Sequence, residues 1–218
     1  MRCGPGLLAA MGGVLLLSTG LQAEEKTRHF PAANCRYTLP ADGWSWVNPP
    51  DGKATFCATG PGAVAALLYI LEAPPSVRID QKFADALDRK GFIPGQLEKR
   101  GGRFITFLGL PCYQAEGRMA SGQTIVCRVI IANGRGYQLI VVGDEKPIEQ
   151  SPEFEAIMGG FAFDSPPIPP PSGPAPDRMD RFTDQMAKIA TYCLLGAGVL
   201  IAWRAVFRRG QASQPAAR

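Results

Sequence analysis

The chain has 218 residues, 46% hydrophobic and 19% charged, a balance that supports a packed core and excludes disorder throughout. Its 23 basic residues against 19 acidic leave a formal charge of +4, but the excess is terminal. Between positions 24 and 165 stand 15 basic and 16 acidic residues, so the stretch able to fold lacks the basic face that nucleic-acid binding needs.

The N-terminus has the pattern of an export signal. Arg2 precedes an apolar run over 7–17, and L-Q-A over 21–23 stands before the charged Glu24, Glu25 and Lys26. This predicts a signal peptide over 1–23 cleaved after Ala23. The alternative is an uncleaved anchor, since Leu21 is large for the third position before a cleavage site.

An exported domain is predicted over 24–165, with a pattern mostly of strands. Candidate strands fall at 36–39 and 44–47 around the turn P-A-D-G, then at 54–58, 63–71 and 104–108. A long pair comes next at 113–119 and 123–132. Asn133-Gly134 is a strong hairpin signal, because a type I′ turn needs positive φ at both central positions, and it leads into a strand over 136–142. Two helices interrupt the strands. Ser76 can cap the first, which sets Ile79, Phe83, Ala86 and Leu87 on one face and ends at Gly91. Ser151-Pro152 opens the second, with Phe154, Ile157 and Met158 inward until Gly159-Gly160. The fold class is α+β, an antiparallel sheet flanked by helices.

Beyond this domain, seven prolines crowd into 164–176. A polyproline linker over 166–176, at ~3.1 Å per residue, would stand the domain ~34 Å off the next segment. Residues 177–188 suit a juxtamembrane stem. The stretch 189–207 is apolar but for Arg204, long enough for one C-terminal transmembrane helix, with Lys188 and Arg204 able to reach the interfaces and Tyr192 and Trp203 suited to interfacial depth. The signal commits the domain to export, so 208–218 becomes a cytoplasmic tail in a type I topology. Within the span Gly198 and Ala202 lie four apart, near Ala190, Gly196 and Ala197, a spacing that permits a weak homodimer through the transmembrane helix. Such small residues are also simply common in membrane helices.

The segment Y-T-L-P-A-D-G-W over 37–44 resembles the opening of the PsbP/DcrB-like superfamily. So do the succeeding order of elements, L-G-L-P-C-Y over 108–113, the Asn133-Gly134 hairpin with Tyr137, and the ending F-E-A-I-M over 154–158 with F-A-F over 161–163. The resemblance covers nearly the whole exported domain. It implies a small, exported, non-enzymatic accessory or binding factor, with no catalytic set to carry over and no general membrane anchor.

Few residues offer chemistry of their own. The single histidine, His29, is expected in a flexible start, where it cannot support a triad. There is no C-x-x-C spacing, so no metal site is read, and no catalytic residue or cofactor is assigned. Cys35, Cys57, Cys112 and Cys127 are the disulfide candidates. Four cysteines in an oxidising compartment suggest two bridges, with three connectivities. Sequence order favours Cys35–Cys57 and Cys112–Cys127, although simple register sets Cys112 opposite position 130, so the second pair requires a bulge. The charged run over 98–103 reads as an exposed loop leading into a strand, or as a polar ligand site. Trp44 and Trp46 share one strand parity and suit either the core or a pocket.

The expectation is therefore a single-pass protein of the cell (inner) membrane whose domain is periplasmic or otherwise extracytoplasmic. It would act as a binding or scaffold module with the membrane and another envelope protein as partners, without nucleic acid. The alternative is an envelope hydrolase or thiol-redox enzyme.

Overall fold

The structure is a computed structural model that describes residues 25–49, 52–89, 97–119, 122–143 and 148–171, together with Phe182, Thr183 and Gln185. The segments read from the sequence as a signal peptide (1–23) and a transmembrane helix (189–207) lie outside the described residues, and among those described no helix is long and apolar enough to cross a membrane.

Among the described residues, ten strands form two antiparallel sheets. The larger has seven, β3 (Ser45–Val47), β4 (Phe56–Thr59), β5 (Ala65–Glu72), β6 (Leu97–Phe107), β7 (Leu110–Met119), β8 (Thr124–Ala132) and β9 (Arg135–Val142), in the spatial order β3-β4-β5-β9-β8-β7-β6. The smaller has β1 (Thr27–Phe30), β2 (Cys35–Thr38) and β10 (Phe161–Phe163), with β2 in the middle. Every residue of β8 is buried. That is the signature of a strand covered on both faces, and it explains the uninterrupted apolar run V-I-I-A where a half-exposed strand would alternate.

One face of the large sheet is covered by helix α1 (Gln81–Arg89), which buries Phe83, Ala84 and Leu87 against Leu67, Tyr69, Val129 and Ile140. The other is covered by helix α2 (Pro152–Gly159) and the small sheet, which bring Phe154, Ile157, Met158, Tyr37 and Phe161 onto Phe56, Leu68, Val126 and Leu139. The expected single sheet flanked by helices is thus a larger sheet sandwiched between α1 and a mixed layer. The small sheet escapes a reading of pattern because β1 is T-R-H-F, with no apolar alternation.

Local chemistry fixes both helices. The Asp80 carboxylate accepts from the Phe83 N–H at 2.9 Å and caps α1, so Ser76 is not its cap. The Ser151 hydroxyl accepts from the Phe154 N–H at 3.2 Å, with Pro152 in the first turn, as read from the sequence. The Asn133-Gly134 hairpin has φ of 54° and 69°, the expected type I′ turn. Strand β6 begins seven residues before the strand read at 104–108, so the charged run over 98–103 belongs to an edge strand rather than to a loop. A register shift between Lys99 and Gly101 marks its bulge, and charge plus a bulge blunts a free edge.

The proline-rich segment does not begin as a free spacer. The Asn34 carboxamide oxygen accepts from the Ser165 N–H and hydroxyl at 3.0 and 2.7 Å. Asn133 exchanges two bonds with the Ile168 backbone, each 2.8 Å. Further on, Phe182 is buried in the α1-side core, its ring tilted against Phe83 at 6.4 Å between centroids and resting over Gly136. Both Ile168 and Phe182 are therefore held on the domain, and the segment between them does not separate the domain from Phe182 by the ~34 Å of a straight polyproline rod.

Candidate functional site

The four cysteines do not form the expected bridges. All are reduced thiols. Cys35 and Cys112 lie in the core on the α2 side, Cys57 and Cys127 in the core on the α1 side. Each pair favoured by sequence order is thus divided by the large sheet. The β7–β8 ladder runs unbroken from Cys112↔Ile130 to Arg118↔Thr124 and places Cys127 opposite Ala115. The register read from the sequence holds, and the bulge needed for a bridge does not exist. Cys57 and Cys127 share a face, but lie three ladder steps apart through Leu67 and Ile140. At ~4.8 Å per step that is ~14 Å, beyond disulfide reach.

Burial pushes the Cys35 and Cys112 thiols up to about 12, against Arg135 and Arg128 respectively, whose charges act in the opposite sense. These thiols are protonated and inert at neutral pH, the reverse of a redox nucleophile. Alkylation of the denatured, unreduced full chain is expected to modify all four on peptide mapping; a joined peptide pair contradicts this. The same shifts set a pH dependence. The unfolded thiols ionise from pH ~9 while the folded ones keep their protons, so stability is full below pH ~9 and falls as pH rises toward 12. Burial raises Tyr37 and Tyr137 in the same direction. The urea midpoint should be lower at pH 10.5 than at pH 8; equal midpoints contradict the assignment.

His29 lies in strand β1, not on a loose tail. Its Nδ1 stands 3.1 Å from Asp164 Oδ1, an atom that Arg36 Nη1 also approaches at 3.1 Å. With 55% of its side chain exposed, His29 adjoins no nucleophile among these contacts, and the cluster ties β1 and β2 to the residue after β10. Trp46 is core: its indole N–H donates to the Glu25 carbonyl at 2.8 Å, and its ring meets Phe56 edge-on. The Trp44 ring covers Gly60, where any side chain would collide.

A feature the sequence pattern did not disclose is a polar spine on the α2 side of strands β6, β7 and β8. The register aligns Arg103, Gln114 and Arg128 across these strands. Arg128 Nε donates to Gln114 Oε1 at 2.8 Å, Gln114 Nε2 donates to Glu116 Oε1 at 2.8 Å, and Arg103 Nη2 pairs with that carboxylate at 3.3 Å. From α2, Glu155 accepts from Arg128 Nη2 at 3.2 Å. The guanidinium is buried between the Phe107 and Phe154 rings, 4.9 and 5.0 Å from their centroids. A planar cation stacked on two rings and bonded to an amide holds α2 to the sheet. Arg103 and Glu155, at its two ends, remain mostly in water. The spine supplies recognition groups at the surface; it brings together no nucleophile and general base. Alternation alone would have shown three polar residues of neighbouring strands on one face, had the pairing been known.

A second missed residue lies on the opposite face. Gln138 is fully buried between Tyr69 and Val129, yet among the described residues neither its carboxamide oxygen nor its nitrogen has a hydrogen-bond partner. An unpaired buried amide costs roughly 1–3 kcal/mol. Gln138→Met, similar in length and apolar, is expected to raise stability by about 1–2 kcal/mol in urea denaturation with an unchanged slope. A destabilised variant would mean the amide has a partner after all.

No known protein family matches the chain, and no curated protein matches it in sequence. Solved structures do. The chain overlaps cyanobacterial PsbP (CyanoP) of Synechocystis sp. PCC 6803 with a TM-score of 0.52 at 15% identity, over 72% of this chain and 99% of that one. Weaker overlaps join it to a protein of Bacteroides thetaiotaomicron (TM-score 0.43, 9% identity, 64% of this chain and 48% of that one) and to the Ran-binding protein Mog1p of Saccharomyces cerevisiae (0.40, 8%, 64% and 95%). The chain has a PsbP-like fold.

Proposed function

We propose that the protein is a non-enzymatic binding or scaffold module, anchored in the cell (inner) membrane by one helix and displayed on its extracytoplasmic side, where it meets another envelope protein. The observation that carries this reading is the order of parts. A PsbP-like domain stands between a signal-like leader and an apolar stretch at 189–207, and an accessory or binding role is what the family resemblance implies. The polar spine supports binding over catalysis, because its exposed ends are a cation and a carboxylate. The thiol-redox alternative loses support from thiols held protonated by burial. The pairing of Gly198 with Ala202 suits a weak homodimer that would present two domains side by side.

Site-directed labelling in intact cells tests the reading. Asp42, 93% exposed on the domain, and Ser213, in the tail, are replaced singly by cysteine in the full chain. An impermeant maleimide should label position 42 and leave position 213 unlabelled until the membrane is opened. Labelling at 213 alone would reverse the topology and remove the extracytoplasmic function.

A further inference from the structure

One end of the domain combines three features. The β6–β7 turn at Leu108-Gly109 and the β8–β9 turn at Asn133-Gly134 lie at the same end of the large sheet, since Cys112 pairs Ile130 and Ala132 pairs Arg135. Both have the positive φ pair of a type I′ turn, 51° and 75° against 54° and 69°. The second turn uses Asn, the residue suited to that backbone. The first uses Leu, whose side chain opposes it, and leaves that leucine 42% exposed. A strained, exposed leucine is poor turn chemistry unless its side chain has a surface to meet. Beside it, Asn133 holds Ile168, which is 70% exposed.

The third feature is the exit of the chain. Phe182 is buried over Gly136, two residues beyond the Asn133-Gly134 turn. Only six residues separate Phe182 from Ile189, where the apolar stretch begins. Seven steps of chain span ~10 Å as a helix and ~25 Å fully extended. Strand β8 has nine residues, ~30 Å long, so in a chain anchored at 189–207 the end carrying Leu108 and Ile168 is the one nearer the anchor. The loop holding Asp42 lies at the far end, since Ser45 pairs Thr59, Thr59 pairs Ala65, and Ala65 pairs Val142.

We propose that this end rests on the membrane, with Leu108 and Ile168 seated in the lipid interface, so that the domain stands on the bilayer rather than above it on a stalk. The inference rests on the membrane-anchored reading and adds an orientation and a lipid contact surface to it. Apolar side chains at interfacial depth are stabilised by their buried area, and the anchoring helix lowers the entropic cost of bringing them there.

The test uses the full chain carrying Cys3→Ser and Cys193→Ser, in vesicles of phosphatidylcholine and phosphatidylglycerol containing doxyl-labelled lipid. Bimane is attached at Leu108→Cys, at Ile168→Cys or, as the far-end control, at Asp42→Cys. Quenching at 108 and 168 should exceed that at 42 at least about twofold. Leu108→Asn, which suits the turn and keeps the fold, should reduce quenching at 168 without lowering the melting temperature. Retention of the chain after alkaline carbonate washing, with equal quenching at 108 and 42, overturns this inference alone. Release by carbonate overturns the anchored reading and this inference with it. Position 108 unquenched in pure lipid but protected in native membranes assigns the tips to a protein partner and overturns the lipid contact.

Discussion

Phe182→Ala should destabilise the full chain by about 3 kcal/mol, although the residue comes after the proline-rich segment and the sequence pattern assigns it to a stem. The ring is buried against Phe83 and over Gly136. The loss equals the free energy that holds this stretch on the domain, so the domain itself should stay folded. Gly136 offers the cross-check. A side chain there meets the Phe182 ring, so Gly136→Ala should destabilise the chain despite the usual gain from replacing glycine within a strand. In the Phe182→Ala background the same change should become neutral or favourable. A double-mutant cycle in urea reads this reversal of sign as a coupling. Additive effects would mean that the two residues do not meet.

Arg128→Ala is the other large effect, expected at about 3 kcal/mol. Three losses combine: the contacts with the Phe107 and Phe154 rings, the donor to buried Gln114, and the volume of the side chain itself. The Glu155 pair contributes little, because that carboxylate is largely in water. Arg128→Met keeps an unbranched stem between the rings and should cost less than half as much, whereas Glu155→Gln should be nearly silent. Equal losses for the Ala and Met variants would put the stabilisation in the charge rather than in the stacking.

Much of the framework is legible because local chemistry fixes it. Asn133-Gly134 names its own turn, Ser151-Pro152 its own helix start, and simple register across the 113–119 and 123–132 pair sets Cys112 opposite position 130, as the β7–β8 ladder does. What escapes is whatever long-range pairing decides. Cys35 and Cys57 look like neighbours because their segments are successive, but β2 joins a different sheet through Phe161–Phe163, far along the chain. Strand β1 is too polar to announce itself and forms only because β2 offers an edge. The polar spine needs the order of β6, β7 and β8 before Arg103, Gln114 and Arg128 align. Proline content reads as a rod, since composition carries no sign of the Asn34 and Asn133 side chains that clamp its start, nor of the slot that receives Phe182.

Phe182 is the pivotal contact, since its docking on the domain is what the proposed seating of Leu108 and Ile168 on a bilayer rests on. Isotope-filtered proton–proton Overhauser measurements on the full chain in lipid nanodiscs, with phenylalanine selectively labelled, test it most directly. The rings of Phe83 and Phe182 lie 6.4 Å apart between centroids, so cross-peaks between them are expected, together with contacts from the Phe182 ring to the Gly136 α-protons. Phe182 signals at random-coil positions, without a cross-peak to Phe83 or Gly136, would contradict the docked chain and restore a domain carried at the end of a free stalk.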